Sequence, residues 1–142
     1  MANMGKRAAS LWLLSALVVA LAACSQDKVM TADPNLVPAR YKDEILDTLR
    51  TLFDKNETHT VTNAMMSDPA LRPISGQQRY TVCVRYTAHG TAYNIAGDAE
   101  RIGIFYGGHL NQLVEATKEQ CGSAAYKPFP ELNAVCLGTG CR

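Results

Sequence analysis

Little in this 142-residue chain points to a catalyst or to a nucleic-acid-binding protein. It lacks the Gly-x-Ser-x-Gly, His-Glu-x-x-His, P-loop and Gly-x-Gly-x-x-Gly patterns of hydrolases, zinc proteases and nucleotide-binding proteins. It has no run of charges of one sign, so its charge pattern favours neither nucleic acid nor electrostatic docking to anionic lipid. It also lacks internal repeats and low-complexity segments. These absences predict a protein without a cofactor that is not an enzyme.

The few residues suited to acid–base or metal chemistry are scattered. His59, His89 and His109 lie far apart, and the cysteine spacings do not form two close ligand pairs, so we predict no metal site. His89 is the best placed of the three for catalysis, because it ends a predicted strand and begins the longest predicted loop. An exposed loop histidine is the simpler interpretation. Asp98 and Glu100, on the far side of that loop, form a pair that is ordinary on a solvated turn, and we predict no catalytic residue.

Only one long apolar run occurs, and it lies at the N-terminus. Lys6 and Arg7 precede sixteen uncharged residues, 8–23. This run is shorter than the roughly 20 residues that a membrane-spanning helix needs. A basic start, an apolar middle and small residues at the end are typical of a secretory signal peptide. No second apolar stretch is long enough to cross a membrane.

The apolar run ends in Leu21-Ala22-Ala23-Cys24, which resembles the lipobox of bacterial lipoproteins. The resemblance implies that signal peptidase II removes residues 1–23 and that Cys24 is the lipidation site, with acyl chains such as palmitate on its sulfur and amine. Two or more chains anchor a protein stably, whereas one binds only marginally. Because Ser25 rather than Asp follows the cysteine, the periplasmic face of the outer membrane is favoured over inner-membrane retention. The alternative is an ordinary signal peptide followed by a chance cysteine.

Removal of the signal peptide leaves 119 residues with 12 basic and 13 acidic side chains, enough for one small domain. Residues 24–37 comprise the lipidated cysteine and a polar tether that would reach roughly 20 Å as a flexible coil. Residues 38–132 form the predicted domain, and residues 133–142 a disulfide-looped tail.

Four cysteines remain after Cys24 is set aside: Cys83, Cys121, Cys136 and Cys141. An even number in an oxidising compartment predicts two disulfides, with three possible connectivities. We favour a bridge between Cys136 and Cys141, because the glycines in Cys-Leu-Gly-Thr-Gly-Cys can close a tight loop, and Cys83–Cys121 then follows by elimination. The alternatives are a simply buried Cys83 with free tail cysteines and, less favoured, a zinc site.

The apolar pattern predicts an α+β fold, in which one amphipathic helix packs on an antiparallel sheet of three to four strands in two layers. The helix covers residues 39–55, with Tyr41, Ile45, Leu49 and Phe53 on its apolar stripe. The strands are predicted at residues 58–65 (an edge strand), 79–88, 101–106 and 109–116, the last two joined by a Gly-Gly turn. Leu110 and Val114 are expected to face the core.

The chain also contains segments that resemble a set of small proteobacterial lipoproteins to which no activity is assigned. The resemblance spans most of residues 40–132 and rests on the following segments: Tyr41-Lys42-Asp43-Glu44-Ile45-Leu46, Cys83-Val84-Arg85-Tyr86, Gly107-Gly108, Gln120-Cys121 and Pro128-Phe129-Pro130-Glu131-Leu132. It implies no catalytic residue. The Cys136–Cys141 bridge lies outside it.

The sequence favours two non-catalytic functions over a small hydrolase. The first is an envelope accessory or protein-binding module whose sheet edge or helix face docks a membrane-bound partner. The second is an inhibitor-type module that acts on a periplasmic or host enzyme. An inhibitor needs a rigid protruding loop, for which residues 89–100 are the candidate, whereas an accessory protein needs an exposed apolar patch.

Overall fold

The computed structural model describes residues 33–55, 58–90 and 97–135. These residues form an α+β domain in which one long helix packs on a mostly antiparallel sheet, so the predicted fold class is confirmed at this level. Its elements, in chain order, are α1 (Tyr41–Lys55), β1 (Thr58–Ser67), β2 (Ala70–Ile74), β3 (Gln77–Gly90), β4 (Gly97–Tyr106), β5 (His109–Glu115), α2 (Lys118–Cys121), β6 (Tyr126–Pro128) and α3 (Pro130–Asn133). The signal peptide, Cys24, Cys136 and Cys141 lie outside the described residues.

The sheet has six strands in the part of the chain that the structure describes, so the predicted three or four is too low. The order is β5-β4-β3-β1-β6, and β2 pairs with β3 as well. β1 and β2 follow one another along the same edge of β3, with a break at Asp68-Pro69. β1 is therefore an inner strand over part of its length and not the predicted edge strand, because β6 pairs with its last three residues.

Two tight turns lie at the same end of the sheet, which we call the turn end. Ser75 and Gly76 join β2 to β3, Gly107 and Gly108 join β4 to β5, and all four residues have positive φ, as two-residue hairpin turns require. At the opposite end, the Gly90 end, Ala88 pairs with Gly97.

The main core lies between α1 and one face of the sheet. Ile45, Leu49 and Phe53 are fully buried there, as the helical stripe predicts. Val82, Val84 and Tyr86 of β3 pack against them, and the ring of Tyr86 meets Phe53 edge-on at 5.3 Å. The strand alternation that the sequence predicts for β3 is therefore confirmed.

The prediction for the apolar side chains of β5 is wrong at one position. Leu110 and Leu113 pack against the core, but Val114 is 41% exposed on the other face of the sheet. The register shifts between Ile104 and Phe105, so strict alternation does not hold along β5.

Residues on both sides of the predicted 38–132 domain also pack onto it. The backbone N–H of Gly107 donates to the carbonyl of Pro34 at 3.2 Å, which holds residues 33–37 against the turn end. Val135, in the predicted tail, is buried in the core. No helix among the described residues has the length and apolar character needed to cross a membrane.

Glu44 connects the helix to the outer strand of the sheet. Its Oε2 accepts the backbone N–H of Leu110 at 2.6 Å, and its Oε1 lies 3.1 Å from Nδ1 of His109. The carboxylate is only 22% exposed. It thus satisfies a strand N–H that water reaches poorly.

We expect Glu44→Ala to lower the free energy of unfolding by about 1–2 kcal/mol, because a partly buried N–H loses its acceptor. Urea denaturation measures the change. Asp47→Ala is the matched control, since Asp47 makes only an exposed pair with Arg50 and should change stability by less than about 0.5 kcal/mol. Equal effects of the two substitutions would contradict this account of Glu44.

Candidate binding site

A groove of about 670 Å³ lies on the sheet face opposite α1, toward the Gly90 end. We call this face the open face and the cavity the open-face groove. The groove is lined by Asn63, Met65, Arg85, Tyr86, Thr87, Asp98, Ala99 and Glu100. Its volume falls within the roughly 300–1,000 Å³ of typical ligand sites.

Strand alternation brings the polar lining together. Arg85 and Thr87 follow Cys83 on the open face of β3, because side chains two residues apart share a face. In the adjacent strand β4, Glu100 lies directly across from Arg85, and Asp98 across from Thr87. Four polar side chains from two neighbouring strands therefore meet in one place.

The disulfide between Cys83 and Cys121, predicted by elimination, is present. It joins the middle of β3 to α2, where Thr117 caps the helix and accepts the backbone N–H of Gln120. Arg72 adds a second connection, since its Nη1 donates to the carbonyl of Gln120 at 2.9 Å. Cys83 and Cys121 are thus neither free thiols nor metal ligands.

Tyr126 lies between the disulfide cluster and two residues that line the open-face groove, Arg85 and Glu100. It starts from β6 and packs against the cluster of Cys83, Cys121 and Ile102. Its hydroxyl donates to Oε1 of Glu100, so the ring reaches from β6 to β4 across the open face. Burial, the hydrogen bond to Glu100 and the charge of Glu100 raise the pKa of this hydroxyl well above its usual value. Tyr126 therefore remains a neutral donor at physiological pH.

Arg85 lies on the side of the Tyr126 ring that faces the groove. The centre of its guanidinium is 4.4 Å from the centroid of the Tyr126 ring, a cation–π contact. Within the described part of the chain, Arg85 forms no hydrogen bond or ion pair through its side chain. None of the described residues occupies its guanidinium N–H groups, and the residue is exposed.

Each of the two carboxylates in the groove uses one of its two oxygens in a hydrogen bond to a neighbouring side chain. Oδ1 of Asp98 accepts the Thr87 hydroxyl at 2.6 Å, and Oε1 of Glu100 accepts the Tyr126 hydroxyl. Among the described residues, neither Oδ2 of Asp98 nor Oε2 of Glu100 has a partner. The predicted placement of these carboxylates on a turn is wrong, because both lie on β4 and line the groove, although Asp98 is exposed to solvent as predicted.

His89 is placed differently from the loop position that the sequence predicts. It belongs to β3, and its Nε2 lies 2.9 Å from the Thr62 hydroxyl on the exposed surface. A nucleophile and a base need a third group to orient the base. In the described residues Nδ1 of His89 has no such partner.

The other histidines do not join this site. His109 contacts Glu44 near the turn end, and the side chain of His59 lies outside the described set. Among the residues described, no three His, Cys, Asp or Glu side chains converge as a metal site would require.

No family model, curated protein or solved structure matches this chain. The resemblance to small proteobacterial lipoproteins stays a prediction, and the groove is interpreted from its own geometry.

Loss of the Cys83–Cys121 bridge should lower the free energy of unfolding by about 2–4 kcal/mol, because the unfolded chain regains the entropy of a long loop. Denaturation of the variant with Cys83→Ala and Cys121→Ala under non-reducing conditions measures this. With reductant present, variant and unmodified protein should have nearly equal stability. A native protein in which Cys83 can be alkylated without reduction would contradict the bridge.

Proposed function

We propose that this protein is a lipid-anchored binding protein of the bacterial envelope that takes up part of a partner protein in the open-face groove without catalysis. The observation that carries the proposal is the guanidinium of Arg85, which lines an open groove and is held on Tyr126 with its donors unpaired in the described residues. An interface arginine stacked on an aromatic ring is pre-ordered, so it loses little side-chain entropy when it binds.

The hydroxyl groups of the groove support binding over hydrolysis. Thr87 donates to Asp98 and Tyr126 donates to Glu100, so each hydroxyl is bound to a carboxylate. A carboxylate can act as a base, but an activated nucleophile also needs a third group that orients its base. No third group of this kind bonds Asp98 or Glu100 in the described residues. The Thr62–His89 pair is exposed, and neither residue lines the groove.

The shape of the site favours an accessory protein over an inhibitor. An inhibitor inserts a protruding loop into the active site of an enzyme, whereas the open-face groove is concave and receives a ligand. Residues 91–96 of the candidate inhibitory loop lie outside the described residues. The concave, charged groove is thus the feature on which the proposed function rests.

The anchoring part of the proposal rests on the N-terminal sequence. The lipobox-like Leu21-Ala22-Ala23-Cys24 supports lipidation of Cys24, and Ser25 supports the outer membrane. The bridge between Cys136 and Cys141 belongs to the same proposal, because a periplasmic location supplies an oxidising environment.

Cys24→Ala should move the protein from the membrane fraction to the soluble periplasmic fraction or leave an uncleaved precursor, because it removes the acyl chains. Cell fractionation and mass measurement of the N-terminal peptide test this. Ser25→Asp, which keeps the cysteine, is the control and should leave the protein membrane-bound. If the Cys24→Ala protein is cleaved and still fractionates with the membrane, lipid does not hold it.

A photo-crosslinking residue placed at Met65, on the groove floor, should capture an envelope protein in cells. The same residue placed at Arg50, on the exposed face of α1, is the matched control and should capture no such product. Addition of Arg85→Gln should reduce the Met65 product strongly, since the ligand loses its charged contact. Capture that is equal from both positions, or unaffected by Arg85→Gln, would contradict a binding function of the groove.

A further inference from the structure

The groove contains charges of both signs that do not neutralise one another. Glu100 lies directly across from Arg85 in the strand register, yet its carboxylate accepts the Tyr126 hydroxyl and forms no ion pair with Arg85. Tyr126 thereby holds two opposite charges apart on neighbouring strands. Among the described residues, neither charge has all of its hydrogen-bonding groups occupied.

The geometry of Arg85 suits a carboxylate. A guanidinium stacked on a ring keeps its N–H groups in its own plane, so the contact with Tyr126 does not use them. Two parallel N–H groups of a guanidinium match the two oxygens of a carboxylate. Arg85 therefore provides an anion subsite on the wall of the groove.

Asp98 and Glu100 form a cation subsite beside it. They are two residues apart on β4, about 7 Å along one face of the strand, and each has one oxygen without a partner in the described residues. A lysine ammonium carries three donors on a flexible stem and can satisfy both carboxylates. The two subsites adjoin, because Glu100 lies across from Arg85.

A ligand with one charge would fit this groove poorly. An anion bound at Arg85 would be repelled by two nearby carboxylates, and a cation bound at the carboxylates would be repelled by Arg85. A ligand with both charges complements both subsites. The groove also has room for more than two charged groups, and Met65 and Asn63 line it beside the two subsites.

Building on the proposed binding function, we propose that the open-face groove recognises a peptide segment in which a lysine and an acidic residue are neighbours. The acidic side chain binds Arg85, and the lysine binds Asp98 and Glu100. A lipid headgroup with an ammonium and a phosphate shares part of this chemistry. The groove lies toward the Gly90 end, however, whereas residues 33–37, which follow the proposed lipid anchor, pack at the turn end.

Calorimetric titration of the lipidated protein in detergent micelles tests the proposal with the probe Ac-Gly-Lys-Glu-Gly-NH2. Peptides in which Gln replaces either Lys or Glu should bind at least about tenfold more weakly, because each loses a charge-assisted contact. Arg85→Gln should weaken binding of the Lys-Glu probe to a similar extent. Asp98→Asn should weaken the binding of the Lys-Glu probe more than the binding of the Gln-Glu probe.

Arg79→Gln is the matched control. Arg79 also lies over a tyrosine ring, that of Tyr106 at 5.2 Å, but at the turn end and outside the groove, so its loss should not change affinity. Circular dichroism and urea midpoints confirm that each variant is folded.

Three outcomes would overturn the inferred ligand chemistry: no binding of the Lys-Glu probe, equal binding of the singly charged peptides, or tighter binding of phosphoethanolamine than of the probe. These results are distinguishable from failure of the proposed function. If Arg85→Gln still abolishes crosslinking from Met65, the groove binds a partner with different chemistry. If that crosslink is absent, the binding function itself fails.

Discussion

The disulfide between Cys83 and Cys121 is the constraint on which the open face depends. It joins the middle of the central strand to α2, a helix of four residues that is too short to be stable without tertiary contacts. The chain that leaves α2 becomes β6, and there Tyr126 packs against the disulfide cluster and crosses to β4. The position of Arg85 follows, because its guanidinium lies on that ring. The disulfide bond thus determines the positions of the charged side chains in the groove.

The parts of the fold that the sequence predicts are those with a local signal. The helical stripe of α1, the alternation in β3 and the Gly-Gly turn are each visible within about a dozen residues, and each is confirmed. The strand count is not predictable in the same way. β2 contains Pro73, and β6 is only three residues long and contains Pro128. Both strands nevertheless pair with a neighbouring strand, at positions where the N–H that proline lacks is not required. Their pairing depends on partners distant in sequence.

The residues of the groove are even harder to predict from the sequence. Residues 89–100 contain two glycines and show no apolar alternation, so their sequence predicts a loop, although His89 and Gly90 belong to β3 and residues 97–100 belong to β4. Strand ends whose consecutive residues are all exposed need no apolar alternation, and the periodic signal is lost there. The separation of Arg85 from Glu100 is equally hidden, because it depends on a tyrosine 26 residues farther along the chain. Cross-strand neighbours follow from register, whereas the contacts they make depend on the whole tertiary structure.

Because residues 33–37 pack against the turn end, the described chain enters the domain at one end of the sheet. With the lipid proposed at Cys24, eight residues, 25–32, separate the anchor from the first described residue. Along β3, the nine residue steps from Gln78 to Thr87 cover about 30 Å. A partner that binds the groove therefore contacts the end of the sheet that is remote from the end at which the described chain enters the domain.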